Sequence, residues 1–233
     1  MRYNSPIGEF LSSVKRVGLF NTIELVVNRF DDSMFDKKYQ LDTSKRLEVD
    51  ELDIYEEDPE LAKKGQMYQP TSVRSFKKIL KKLSFIKDKK VVDYGCGKAR
   101  TLAVCLLNGV NDVVGVEFSQ ELCDSAESNM KKMETLLPTK FSWKIHCGDA
   151  ALYQVQPDEN IFYFFFPFDE TITRKVIANI LESVKGNKRE IVIVYYYAIH
   201  RAVVEEFEAI YIHQEFNLNG YDCILYRVNH DKL

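Results

Sequence analysis

Apolar residues along the chain fall into two rhythms. One is the short, continuous run: Val91-Val92 and residues 112–117, 161–166 and 191–197 are apolar or nearly so. Such runs predict strands covered on both faces, as in a parallel sheet. The other rhythm recurs every three or four positions and predicts helices. Val73, Phe76, Ile79, Leu80 and Leu83 make one stripe with lysines opposite, and Thr71 or Ser72, after Pro70, is its candidate cap. Residues 101–107 are apolar nearly all round, so that helix is buried, and Gly109 can end it. Leu122, Ala126, Met130 and Met133 define a helix capped by Ser119 and stopped before Pro138; Ile172, Val176, Ile180 and Val184 define another, with Gly186 past its end. Phe141, Trp143, Ile145 and Cys147 alternate as in a strand, and residues 157–160 form a turn.

Strands and helices therefore alternate from about residue 70 onward, which predicts a doubly wound, mostly parallel α/β sheet. The ending differs. Residues 210–216 and 221–228 are strand-like and meet at Asn219-Gly220, a hairpin signal, so the sheet closes with an antiparallel pair. Upstream, Ile7, Phe10, Leu11, Val14, Val17 and Phe20 fit an amphipathic helix lying on the protein's own body, since only Lys15 and Arg16 decorate it. Residues 31–69 are polar and irregular. The chain thus divides into an N-terminal helical and irregular extension, 1–69, and an α/β domain, 70–233.

With 233 residues, 45% hydrophobic and 29% charged, there is ample material for a core. A net charge of −3 and a pI of about 5.9 argue against a chain dedicated to nucleic acid. Charge is unevenly spread: eight acids occupy residues 48–60, and eight cations against Asp88 occupy 74–90, both read as solvated faces. No apolar run approaches the roughly 20 residues that span a bilayer, and no signal-peptide pattern opens the chain. This predicts a cytoplasmic protein with no membrane partner. The five cysteines, Cys96, Cys105, Cys123, Cys147 and Cys223, are odd in number and scattered, which predicts reduced thiols. No metal-ligand spacing is present.

Candidate chemistry collects at predicted strand ends, where open parallel sheets bind ligands. The first strand ends at Asp93, followed by Gly95-Cys96-Gly97-Lys98-Ala99: two glycines let the backbone turn sharply and approach a ligand, in front of a helix N-terminus. The second ends at Glu117, twenty residues past Gly97, where a carboxylate can accept ribose hydroxyls. The third is followed by Gly148-Asp149-Ala150, and the fourth by Phe166-Pro167-Phe168.

In series, these motifs resemble the class I S-adenosylmethionine-dependent methyltransferases over roughly residues 70–230. Val-Val-Asp-Tyr-Gly-Cys-Gly-Lys-Ala is similar to that family's first motif, Val114-Gly115-Val116-Glu117 to its second, and Cys147-Gly148-Asp149-Ala150 to its third. The resemblance implies a seven-stranded sheet, S-adenosylmethionine as cofactor with S-adenosylhomocysteine as product, and a cofactor site drawn from Tyr68, Thr71, Asp93, Gly95, Gly97, Glu117, Asp149 and Phe166. Met67-Tyr68-Gln69-Pro70-Thr71 would close over the methionine end, and residues 1–69 would cap the substrate side. Phe168, Tyr197 and His200 are the candidates on the catalytic side, with no clear general base among them. Two positions depart from the pattern. Ala99 stands where the family prefers a third glycine. Phe166 stands where amine-modifying members often carry Asn or Asp, which turns the expectation away from an exocyclic base amine. The implied acceptor is a protein side chain or a small molecule. The alternatives are a non-catalytic binding module of the same fold, and a nicotinamide-dependent oxidoreductase, which the bulk of Arg100 at a glycine-like position disfavours.

Overall fold

A computed structural model describes residues 14–15, 18–44, 69–83, 88–166 and 168–233. Seven strands form one sheet: β1 (Lys90–Tyr94), β2 (Asp112–Glu117), β3 (Ser142–Cys147), β4 (Glu159–Phe165), β5 (Val192–Tyr196), β6 (Ile210–Leu218) and β7 (Tyr221–Val228). Their order is β3-β2-β1-β4-β5-β7-β6. The first five strands run parallel, whereas β7 is antiparallel to both β5 and β6. β1 pairs with β2 on one side and β4 on the other, so the winding reverses at β1 and opens a crevice at its carboxyl end. The β6–β7 turn has Asn219 and Gly220 both at positive φ, 58° and 84°, the conformation that makes Asn-Gly a hairpin signal.

Alternate strand residues point to opposite faces. Val91, Val113, Ile161 and Val194 pack against the helices of one face. These are α1 (Leu19–Tyr39), α2 (Val73–Lys82), α3 (Arg100–Leu107) and α4 (Gln120–Leu136). Val92, Val114, Phe162 and Ile193 pack on the other face beneath α5 (Glu170–Gly186) and the short α6 (Arg201–Glu205). Caps fall where short polar residues precede helical stretches: the Ser72 hydroxyl accepts from Ser75 N–H, Ser119 from Leu122 N–H and the Asp169 carboxylate from Ile172 N–H.

Two elements differ from the sequence reading. Residues 31–39, expected to be irregular, continue α1, which ends in a left-handed residue at Gln40. Their pattern misleads because α1 turns Thr22, Asn28 and Asp32 inward beside Phe35. The short α6 lies within a stretch that shows no periodicity. Most of the N-terminal amphipathic stripe, from Ile7 to Leu11, lies outside the described residues.

Candidate functional site

The glycine corner is built on β2. Gly95 N–H and Cys96 N–H both donate to the Val116 carbonyl, at 2.8 and 3.1 Å. Gly95, Gly97 and Ala99 all take positive φ, at 76°, 52° and 64°. Ala99 is the N-terminal cap position of α3, and left-handed alanine costs about 1–2 kcal/mol. That strain is a physical reason for a glycine preference there. Gly115, on β2 opposite Asp93, is forced by packing: a Cβ there would meet Cys96 Sγ at 2.5 Å. Asp93 lies buried under the corner and accepts a hydrogen bond from the Thr101 hydroxyl of α3. Burial, helped by the nearby charge of Glu117, pushes its carboxyl up to about 7 against the opposing Thr101 hydrogen bond.

Glu117 links the loops. Its Oε2 accepts from Gly97 N–H at 2.9 Å; its Oε1 accepts from Phe118 N–H at 2.9 Å and Ser119 N–H at 3.0 Å. Burial raises its carboxyl, opposed by these three donors. A carboxylate has about four acceptor positions, so one lone pair on Oε2 is left for a further donor. The Glu117 carbonyl also accepts from Gly148 N–H at 2.8 Å, tying the loop after β3 to the same corner. In that loop, Asp149 Oδ1 accepts from Ala151 N–H at 2.8 Å and caps the 3-10 turn Ala150–Leu152. The structure thus brings Asp93, Gly95, Gly97, Glu117 and Asp149 to the adjacent carboxyl ends of β1, β2 and β3.

Beyond β4 and β5, Phe166 and Tyr197 both take left-handed φ, 42° and 55°. Their rings meet edge to face at 5.2 Å; His200 lies 5.5 Å from Phe166 and Tyr221 lies 4.4 Å from Tyr197. His200 Nδ1 is 3.4 Å from a Glu170 carboxylate oxygen. Two neighbouring non-glycine residues in the left-handed region at strand ends store backbone strain. Phe168, the third candidate on the catalytic side, is buried and packs on Tyr94. Thr71 is also buried, with its hydroxyl 2.7 Å from the Tyr163 hydroxyl. Tyr68 and Pro167 lie outside the described residues.

Arg100 escaped the sequence reading as anything but bulk. It is 2% exposed and donates to Thr43 Oγ1 (2.7 Å), Asp32 Oδ2 (2.7 Å) and Ser44 Oγ (3.0 Å). Asp32 also accepts from Val73 N–H at 2.8 Å. Asn129 of α4 bonds both Lys98 and Asp42, and Lys98 pairs with Asp42 at 3.0 Å. Segment 41–44 is therefore strapped across the back of the glycine loop. Partners spaced this far along the chain leave no local signal.

The cysteine expectation is corrected. Cys123 of α4 and Cys147, the last residue of β3, form a disulfide with their Cα atoms 5.9 Å apart. Cys96, Cys105 and Cys223 are free and buried. The pair forms because β3 ends alongside the first turn of α4, a neighbourhood invisible in the spacing.

No protein-family model and no curated protein matches this sequence. Solved structures do. The RNA methyltransferase from Salinibacter ruber in complex with S-adenosyl-L-homocysteine aligns with a TM-score of 0.53 at 14% identity, covering 70% of this chain and 95% of that one. A SAM-dependent methyltransferase from Aquifex aeolicus aligns with a TM-score of 0.52 at 12% identity, covering 66% and 89%. A protein of the NADB-Rossmann superfamily from Streptococcus agalactiae aligns with a TM-score of 0.54 at 13% identity, covering 70% of each chain. With the sheet order, the terminal hairpin and the acid–glycine corner already placed, the likeness identifies the architecture: this chain has the Rossmann-like fold of the class I S-adenosylmethionine-dependent methyltransferases.

Proposed function

We propose that this chain is an S-adenosylmethionine-dependent methyltransferase acting on a protein side chain or a small molecule. One observation carries the reading: the Glu117 carboxylate at the end of β2 is fixed by Gly97 N–H of the β1 corner, with an acceptor position left over. A ribose hydroxyl is the donor that such a position suits. Asp149 keeps one oxygen beyond its turn cap and would accept from the adenine amine. The bare corner at Gly95 and Gly97 would let the backbone approach the methionine end. Bound S-adenosylmethionine supplies an electrophilic methyl group on a sulfonium.

The chain's own contribution is then alignment and a fitted, partly dry setting. Phe166 and Tyr197 would flank the acceptor, and aromatic faces beside a cationic centre are favourable. His200, with its Nδ1 3.4 Å from a Glu170 oxygen, would take the proton from an acceptor that must lose one. Residues 1–69 would select the acceptor, since a generic fold gains specificity from its additions.

Calorimetry with S-adenosylmethionine, S-adenosylhomocysteine and NAD tests the assignment. Both sulfur ligands should bind, and Glu117→Ala should weaken them by about tenfold or more. Preference for NAD would overturn it. Turnover is read separately with labelled methyl donor and fractions of cell extract. Transfer that His200→Asn slows supports an enzyme. An inert protein that still binds the donor would instead be a binding module.

A further inference from the structure

α1 is polar on much of its inward side. That side carries Thr22, Asn28 and Asp32 beside Phe35, whereas Leu19, Ile23, Val26, Phe30 and Met34 are 49–65% exposed. These five follow one another at intervals of four, three, four and four, so they share one face of the helix. They are also five of the ten large apolar residues exposed among the described residues. Scattered exposed apolar side chains need no explanation, but half of them in one stripe do.

The second observation is the neighbour. α2 carries Arg74, Lys77, Lys78, Lys81 and Lys82 and no acid. Two ion pairs fix it beside α1: Arg74 with Asp31 at 2.9 Å and Lys78 with Glu24 at 2.8 Å. Glu24 and Asp31 lie seven residues apart on one side of α1, so Arg74 and Lys78 stand beside the helix that carries the stripe. Lys77 and Lys81, on the same cationic helix, are exposed and form no ion pair among the described residues.

We propose that this face docks on an anionic lipid surface, with the apolar stripe at the headgroup boundary and Lys77 and Lys81 against lipid phosphates. An apolar stripe edged by lysines is the pattern of helices that lie in a bilayer interface, and the charge row complements an anionic leaflet. No helix among the described residues is long and apolar enough to cross a membrane, so the contact is peripheral. The other occupants fit less of the surface. A nucleic acid would use the lysines and leave the stripe in water. Two copies paired stripe to stripe in antiparallel fashion would set one lysine row against the other. The proposal does not depend on the methyltransferase reading.

Flotation of the full chain with vesicles tests it. The protein should float with vesicles of phosphatidylcholine and phosphatidylglycerol and remain behind with phosphatidylcholine alone. Added salt should weaken the binding. Ile23→Asp combined with Phe30→Asp should weaken it by about tenfold or more, and so should Lys77→Glu combined with Lys81→Glu. All four positions are exposed, so matching thermal melts would establish that the variants fold. Three results would overturn the proposal: no flotation with anionic vesicles, flotation that neither pair of substitutions changes, or a dimer in light scattering that Ile23→Asp with Phe30→Asp dissociates.

Discussion

Burial of Asp93 gives folding a pH dependence of definite sign. Its carboxyl moves from 3.8 to about 7, chiefly because burial penalises the charged form. A group that holds its proton more tightly in the folded state stabilises that state at low pH, fully below about 4. The contribution is then lost as pH rises to about 7. Asp93→Asn removes the titration while keeping an acceptor for the Thr101 hydroxyl. Urea melts across this window should therefore show the native chain losing stability relative to Asp93→Asn as pH rises. Parallel profiles would mean that the carboxyl is not held above its ordinary range. Asp93 and Glu117 were legible in sequence because strand-end acids stand out beside apolar runs. What each oxygen bonds was not legible: the three backbone donors on Glu117 come from a corner and a loop that only the fold brings together.

At the scale of elements, the disulfide joins the end of β3 to the start of α4 across 24 residues of sequence. Both neighbours matter to the site, since Glu117 and Ser119 lead into α4 and Asp149 follows β3. Cross-linking a loop of this length restricts the unfolded chain by about 3 kcal/mol. Denaturation with and without a dithiol reductant should show a loss of that size. The Cys123→Ser, Cys147→Ser double variant should match the reduced protein and ignore the reductant. Equal midpoints with and without reductant in the native chain would argue that no such bond forms. The strands and main helices could be read from periodicity because each buries a continuous apolar set. α6 could not, because five residues hold barely more than one turn. The sequence does not mark α1 as a helix beyond residue 30, because its inward side sets Asp32 beside Phe35 while Met34 looks outward, which blurs the apolar stripe of a helix on a core.

For the molecule as a whole, the question is whether residues 1–69 are an appendage or part of one folding unit. The contacts of the described residues 18–44 tie that segment to the α/β domain. Arg100, next to the glycine corner, spends its guanidinium on Asp32, Thr43 and Ser44, and Asp32 in turn receives the first N–H of α2. Removing one partner of a buried ion pair costs about 3–5 kcal/mol, because the other charge stays desolvated. Stability of an entire domain is only about 5–15 kcal/mol. A chain beginning at Gln69 should therefore melt far below the full chain or fail to fold. Arg100→Leu should not recover that loss, because the truncation uncovers the guanidinium as well as removing Asp32. In the full chain the same substitution should destabilise, because it leaves Asp32 buried and unpaired. If the truncated chain melted with the full one, the strap across the glycine loop would contribute nothing, and the α/β domain would stand alone.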